Sequence, residues 1–334
     1  MSTYIVTGGA GFIGSHLIDL LLKDSSTREV RVIDNFSSGR EEHLSHWSKD
    51  SRLKVYREDL LNLNGITPLF KGADFVYHLA ANPDARWGIE NTRLDLEQET
   101  IATYHVLESM RLTGCTRILL SSSGTVYGDV GTEVTHEKLG PALPISLYGA
   151  GKVASEALVS AFCGTFNLSG VILRFGNIVG ERTTHGVIFD FIRKLAQTTA
   201  SLEVLGDGYQ SKPYVYVQDL TLALRYAEQL GRKLATGKFE VFNVAPSDAT
   251  SVRFIAETLL KHLNLESKTQ IQYGKTSFGW PGDVAHSRMS SEKLENAGYR
   301  LPRNSNQAVE EAIAQIIGWL KNRKDQSDGL RIPQ

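Results

Sequence analysis

The stretch from Tyr4 to Gly14, Tyr-Ile-Val-Thr-Gly-Gly-Ala-Gly-Phe-Ile-Gly, constrains the fold more than any other part of the chain. An apolar run suited to a buried strand, residues 4–6, passes into Gly8, Gly11 and Gly14, and then into residues 15–22 with helical spacing. A strand–turn–helix with glycine at those places lets backbone N–H groups and a helix N-terminus approach a pyrophosphate with no Cβ in the way. Twenty residues past Gly14, Asp34 closes a second apolar run, residues 29–33. A carboxylate at that spacing accepts hydrogen bonds from the adenosine ribose hydroxyls and repels a 2′-phosphate. The pattern therefore predicts a bound dinucleotide, NAD in preference to NADP, with Arg40 as the one nearby residue that argues the other way. The plainer role for Asp34 is to cap a turn.

With 334 residues the chain is long enough for one large α/β domain or two lobes. Its 36 basic and 37 acidic residues nearly balance, so nothing calls for nucleic acid or an anionic membrane as partner. The two cysteines, Cys115 and Cys163, read as reduced core residues, and the nine histidines show no metal-ligand spacing, so no metal is expected. No leader and no membrane-length apolar run is legible, which leads to the expectation of a soluble, cytoplasmic protein.

Strands are predicted at Leu53–Arg57 and at residues 75–79, 117–121 and 170–174, with helices at 93–113 and 148–166 between them. Ala80 and Ala81 are small enough for the backbone to lie against a cofactor. Leu96, Ile101, Tyr104, Leu107 and Met110 are the expected inward positions of the first helix. Strand and helix alternate, which predicts a Rossmann-type, doubly wound parallel sheet with ligands beyond the strand C-termini. After Arg174 the rhythm changes: helices at 186–195, 219–230 and 252–263, strands at 214–217 and 239–243, and a last helix from Ser305, as N-cap, to Arg323. Residues 1–175, with a returning segment at about 213–243, are expected to form the NAD-binding domain. A smaller C-terminal substrate-binding lobe would take 176–212 and 244–323, leaving 324–334 as a loosely held tail. Phe189, Phe191, Tyr214 and Tyr216 are expected in core and lobe contacts.

The chemistry is carried by Ser121-Ser-Ser-Gly-Thr-Val-Tyr-Gly128, beyond a strand, and Tyr148-Gly-Ala-Gly-Lys152, which opens a helix. Tyrosine and lysine four apart on a helix share a face, so the ammonium can favour the phenolate and make the phenol a usable base. A strand-end serine can then orient a substrate hydroxyl whose proton is removed while hydride leaves its carbon.

These motifs, with Thr7-Gly-Gly-Ala-Gly-Phe-Ile-Gly14, Asp34-Asn35, Asp59-Leu60, His78-Leu-Ala-Ala81 and Arg174-Phe-Gly-Asn177, follow the order seen in extended short-chain dehydrogenases/reductases, which the chain resembles over nearly its whole length. Within that superfamily it is similar to the nucleotide-sugar group and most resembles UDP-glucose (UDP-galactose) 4-epimerases. It shares with them His185-Gly-Val-Ile188, Leu205-Gly-Asp-Gly208 with Tyr214-Val-Tyr-Val217, and Gly279-Trp-Pro-Gly-Asp283. The resemblance implies that NAD is held by Gly8, Gly11, Phe12, Ile13 and Gly14, by Asp34, Asn35, Ser37, Ser38 and Gly39, and by Asp59 and Leu60. Leu79, Ala80, Ala81, Ser121, Tyr148 and Lys152 complete that set, Lys152 on the nicotinamide ribose. It further implies that Ser123 and Tyr148 contact the hexose 4-hydroxyl, with Tyr148 as base, and that Thr125 lines the sugar pocket. Asn177 would bind the sugar diphosphate, Lys212 and Asp283 would help hold diphosphate and nucleoside, and Val187 would touch substrate. The implied reaction is C4 epimerisation of a UDP-hexose through a 4-keto sugar, in a homodimer formed by helices near 93–113 and 148–166. UDP-glucuronate and UDP-N-acetylhexosamine are alternative substrates, and a non-catalytic NAD-binding regulator is the alternative from another class.

The 4,6-dehydratases of the group carry Asp-Glu at the places of Gly124 and Thr125, and the decarboxylases carry Glu at Thr125. Without those acids, elimination and decarboxylation lack a second proton-transfer partner. Several positions depart from the family pattern. Glu99 stands where many members have Asn near the nicotinamide; it either alters the electrostatics there or is a solvated helix residue. Trp280 replaces a diphosphate-gripping Arg, for which Arg182 or Arg288 would compensate. Gly176 replaces an aromatic residue and would enlarge the sugar pocket. Arg86-Trp87 is a candidate for sugar recognition or for plain loop packing, and His185 for packing or capping.

Overall fold

The computed structural model describes residues 1–322 and Ile332, so Arg323 and the rest of the expected tail at 324–334 lie outside the described residues. The chain divides into two compact units. Met1–Gly128, Glu137–Phe175 and Thr221–Asn243 make the first; Asp129–His136, Gly176–Leu220 and the chain from Val244 onward make the second. The returning segment is thus shorter than residues 213–243. Tyr214–Tyr216 pairs with Asn177–Val179, and Val134–Thr135 with Arg288–Met289, which ties residues 214–216 and 134–135 to the second unit.

The first unit holds strands β1 (Ser2–Thr7), β2 (Thr27–Asp34), β3 (Leu53–Arg57), β4 (Phe75–His78), β5 (Arg117–Ser123), β6 (Ser169–Phe175) and β7 (Phe239–Val244) in the order β7-β6-β5-β4-β1-β2-β3. Pairing is parallel from β3 through β6. Every residue of β4 and β6 is buried, as expected of strands covered on both faces, whereas the edge strand β3 has no buried residue. The strand order reverses between β1 and β4, where Thr7 stands opposite His78, so the ligand crevice of such a sheet opens at these two strand ends.

Helices α1 (Phe12–Lys23), α2 (Ala102–Thr113) and α3 (Leu147–Phe166) belong to this unit. On α1, Leu17, Ile18, Leu21 and Leu22 are fully buried, each worth roughly 1.5–3 kcal/mol. Ser146 caps α3, its Oγ accepting from the Gly149 N–H at 3.1 Å, which fixes Tyr148 in the first turn. Cys115 and Cys163 are free and buried, and burial pushes both thiols up to about 11.

The helical phase expected for residues 93–113 is wrong at its start. Leu107 and Met110 are buried, but Leu96, Ile101 and Tyr104 are exposed. Leu96–Ile101 is a π-helical turn ahead of α2; its wider i→i+5 spacing shifts the inward face to Asp95, Glu99, Ala102, Thr103 and Val106. The α-period that fits α2 therefore fails upstream of it.

In the second unit, helices Val187–Gln197, Val252–His262 and Ser305–Asn322 bury Ile188, Ile192, Leu259 and Ile313, and Phe189, Phe191, Tyr214 and Tyr216 are buried as expected. Ser305 is not the N-cap. Asn304 is: its Oδ1 accepts from the Gln307 N–H at 2.9 Å while Gln307 Oε1 accepts from the Asn304 N–H, a reciprocal capping box. Ser305 turns inward instead, where its Oγ accepts from the Tyr214 N–H at 3.0 Å. Among the described residues no helix is long and apolar enough to cross a membrane.

Candidate active site

The turn after β1 is built as the glycine spacing predicts. Gly8 has φ +68°, and a Cβ there would stand 2.8 Å from the backbone of Ala80; one on Gly14 would stand 2.3 Å from Gly8 O. No side chain caps α1, so its first N–H groups remain for an anion. At the end of β2, the Asp34 carboxylate accepts from the Ala10 N–H at 2.9 Å and the Phe36 N–H at 2.8 Å. It thus does cap the turn, and it keeps further lone pairs for ribose hydroxyls. Burial raises its pKa, opposed by those two N–H groups and by Arg57. Ser37 N–H donates to Asn35 Oδ1, while Asn35 Nδ2 donates to Asp59 Oδ2 at 3.0 Å, which gathers three predicted cofactor contacts at neighbouring strand ends. Phe12 and Ile13 open α1, Ser38 and Gly39 lie beside Asp34, and Leu60 follows Asp59. An uncapped helix start, a cradle that a Cβ would fill and a strand-end carboxylate fit a dinucleotide.

Below the strand ends runs a buried hydrogen-bonded chain. Thr7 Oγ1 meets His78 Nδ1 at 2.7 Å, His78 Nε2 meets Thr103 Oγ1 at 3.0 Å, Thr103 donates to Ser155 Oγ, and Ser155 donates to Glu99 O at 2.9 Å. Thr7 Oγ1 also accepts from the N–H groups of Leu79 and Ala80, which holds the segment leading to Ala81 against the turn. Burial, and secondarily Lys152, lowers the His78 pKa to about 3, so His78 is a neutral strut.

The expected catalytic residues come together at the end of β5 and the start of α3. The Ser123 hydroxyl lies near enough to the half-buried Tyr148 phenol to pull its pKa down, and it accepts from the Thr125 N–H at 3.2 Å. Lys152 Nζ lies 5.4 Å from the Tyr148 ring centre. It donates to Ser121 O at 3.1 Å and pairs with Glu99 Oε2 at 2.8 Å, so one of its three N–H bonds is left over. Ser121 Oγ in turn donates to His78 O. Thr125 Oγ1 is buried with no partner among the described residues, as a group awaiting a ligand hydroxyl would be.

Two features correct the sequence reading. Glu99 is not a solvated helix residue: it is 2% exposed, with Oε1 accepting from the Asn82 N–H at 2.9 Å and Oε2 on Lys152. The Tyr148 phenol is not made more acidic. Burial raises its pKa, and although Lys152 and Ser123 pull it down, Glu99 and Asp95 add to the rise. Asp95 and Asn82 are site residues that sequence reasoning missed; Asn82 Nδ2 donates to Asp95 Oδ1 at 2.8 Å. A usable signal was present in Gly151. A glycine inside a helix costs about 1 kcal/mol and implies a close neighbour, which is Glu99: a Cβ on Gly151 would stand 2.7 Å from the Glu99 Cβ.

Gly176 does not serve to open the pocket: a Cβ there would stand 2.7 Å from Pro213 O, so the backbone leaves no space for a side chain. The Arg86 guanidinium is taken by Asp84, through Nε at 2.9 and 3.0 Å. In the second unit Asn177 stands opposite Tyr214 in the strand pairing, and Lys212 Nζ is paired with Asp283 Oδ1, while Asp283 Oδ2 accepts from the Gly279 N–H at 3.0 Å. Val187 opens its helix, half-buried; His185 Nδ1 lies 3.4 Å from Thr184 Oγ1.

The family model of NAD-dependent epimerases/dehydratases matches residues 4–245. A UDP-glucose 4-epimerase of Mycolicibacterium smegmatis is 28% identical over 328 residues, covering 96% of this chain and 98% of that protein. The crystal structure of a UDP-galactose 4-epimerase superposes with a TM-score of 0.84 at 34% identity, over 95% of this chain and 99% of the other. A UDP-N-acetylglucosamine 4-epimerase from Methanobrevibacter ruminantium M1, solved with UDP-N-acetylmuramic acid, gives 0.82 at 25% identity over 95% and 98%.

Proposed function

Because the chain belongs to the NAD-dependent epimerase/dehydratase family, we propose that it epimerises a nucleotide sugar at C4, most readily UDP-glucose and UDP-galactose. The observation that carries this reading is the Lys152 ammonium 5.4 Å from the Tyr148 ring centre at the start of α3, with the Ser123 hydroxyl, at the end of a β-strand, pulling the phenol's pKa down. The first unit binds NAD through the turn at Gly8–Gly14, Asp34 and the spare Lys152 N–H. Held there, NAD would supply the acceptor and donor for the C4 hydride. Tyr148 Oη removes the proton of the sugar 4-hydroxyl and later gives it back, and Ser123 Oγ orients that hydroxyl. Thr125 Oγ1 offers the sugar a hydrogen bond. Lys212 and Asp283 engage diphosphate and nucleoside, with Asn177 and Val187 as further substrate contacts. The product keeps the oxidation level of the substrate, and no acid stands at Gly124 or Thr125 to drive elimination instead.

The apolar side chains of Leu96, Ile101, Tyr104, Leu112 and Phe166, exposed on α2, the turn before it and α3, support a homodimer through these helices. Sedimentation should report a dimer that Tyr104→Lys dissociates; an unchanged mass in that variant would remove this assignment. The activity is tested by incubating the purified chain separately with UDP-glucose, UDP-N-acetylglucosamine and UDP-glucuronate and following the sugar by NMR. Appearance of the C4 epimer supports the proposal. Oxidation with accumulating NADH, or no turnover of any of the three, would overturn it.

A further inference from the structure

Glu99 is held at its backbone carbonyl and at both carboxylate oxygens. Its backbone carbonyl accepts from Ser155, one carboxylate oxygen from the Asn82 N–H, and the other meets Lys152 at 2.8 Å. Gly151, one residue before Lys152, leaves the space: a Cβ there would fall 2.7 and 2.9 Å from the Glu99 Cβ and Cγ. A buried ammonium close to a phenol favours the phenolate. A buried carboxylate on the far side of that ammonium takes the advantage away, because the phenol then faces a neutral pair.

We infer that Glu99 is a positioning residue for the proton transfer: fixed against Lys152, it cancels the ammonium's charge, so that Tyr148 holds its proton more firmly than with a neutral side chain at position 99. The proposal rests on the reading of Tyr148 as base. The charged groups acting on the phenol are Lys152 on α3 and Glu99 and Asp95 at the π-helical turn; Glu156 on α3 and His78 at the end of β4, which stays neutral, act on Lys152. Of these, Lys152 alone is cationic, and Glu99 is the carboxylate in contact with it. The consequence is an enzyme whose base comes into play at higher pH, and whose phenolate, once formed, is the stronger base toward the sugar 4-hydroxyl.

The test is an ultraviolet titration of phenolate absorbance on the full chain as purified, with the Tyr148→Phe curve subtracted to isolate one phenol. Glu99→Gln should move the Tyr148 ionisation to lower pH by about one unit, and Lys152→Met should move it the other way. A Glu99→Gln curve that superposes on wild type would overturn the inference, since a merely structural Glu99 has no reason to move a phenol's titration. Should Glu99→Gln fail to fold, Gly151→Ala carries the same test: it displaces the carboxylate from Lys152 and should shift the phenol in the same direction, an unmoved phenol again overturning the inference. No sugar enters the measurement, so the two readings fail separately. A shifted phenol in a protein that turns over no nucleotide sugar removes the epimerase; epimerisation with an unmoved phenol removes the role of Glu99.

Discussion

Lys152 and Glu156 lie four residues apart on α3, and each ends in a buried ion pair, yet the two pairs differ in every detail that governs their use. Glu156 faces Arg174 with two bonds, Nε to Oε1 at 2.9 Å and Nη2 to Oε2 at 2.6 Å. The Ser122 hydroxyl donates to Oε1, and the guanidinium lies 4.8 Å from the Tyr127 ring centre. Such a planar, bidentate and stacked pair locks the guanidinium and the carboxylate onto each other in one geometry. Lys152 meets Glu99 through a single bond, keeps one N–H uncommitted and sits beside a phenol. The comparison teaches that burial and charge do not mark a catalytic pair by themselves. What separates the two is that the Lys152 ammonium is held to its carboxylate by one bond and the Arg174 guanidinium is locked to its own by two.

The largest expected effect comes from the phenol that only the Lys152 pair adjoins. Tyr148→Phe should lower turnover by about 10³-fold while the NAD content of the purified protein stays unchanged; full activity would place both pairs on an equal, structural footing. Arg174→Met strands the Glu156 carboxylate and should cost about 3–5 kcal/mol of stability in urea unfolding. The Tyr148 titration should meanwhile stay where it is, and a shift as large as that of Glu99→Gln would erase the distinction drawn here. A third pair, Lys212–Asp283 in the second unit, has its lysine side chain 24% exposed and thus accessible to a ligand. Lys212→Ala should raise KM for the nucleotide sugar about tenfold, roughly the worth of one charge-assisted hydrogen bond, with kcat nearly kept.

A pH-dependent effect belongs to the neutral strut beside the Lys152 pair. In the folded chain His78 stays unprotonated down to about 3, whereas the ordinary imidazole takes up its proton near 6.5. Its contribution to stability is therefore full above 6.5 and is lost as pH falls from there toward 3, by up to about 1.4 kcal/mol per pH unit. His78→Gln should flatten the pH dependence of the urea midpoint over that window. An unchanged slope would mean that the imidazole is protonated within the fold.

Much of the scaffold was legible because it rests on local rules. Strand runs with both faces apolar placed β4 and β6 to within a residue or two, and the expected start of α3 at 148 lies within one residue of the observed start, which Ser146 caps. The glycine turn, Asp34 and the Ser123–Tyr148–Lys152 set were found where their spacing put them. The face of the helix around 93–113 was misread because one π-turn changes the period without any mark in composition. Ser305 was misread as a cap because serine suits both a cap and a buried hydrogen bond, and Asn304 with Gln307 takes the first role.

By itself the sequence determined that this chain forms a doubly wound sheet with a dinucleotide turn, and presents a hydroxyl at a strand end and a phenol and an ammonium on one helix face. Those features depend on residues close together in the chain, or on strand ends that the sheet topology must align. What charge the phenol faces was decided by tertiary structure alone. Glu99 and Lys152 are far apart in sequence and meet only because a π-turn rotates one inward and Gly151 makes room for it. The energy of a charge depends on its distance to other charges and on the water removed around them, and neither quantity exists until the fold has formed.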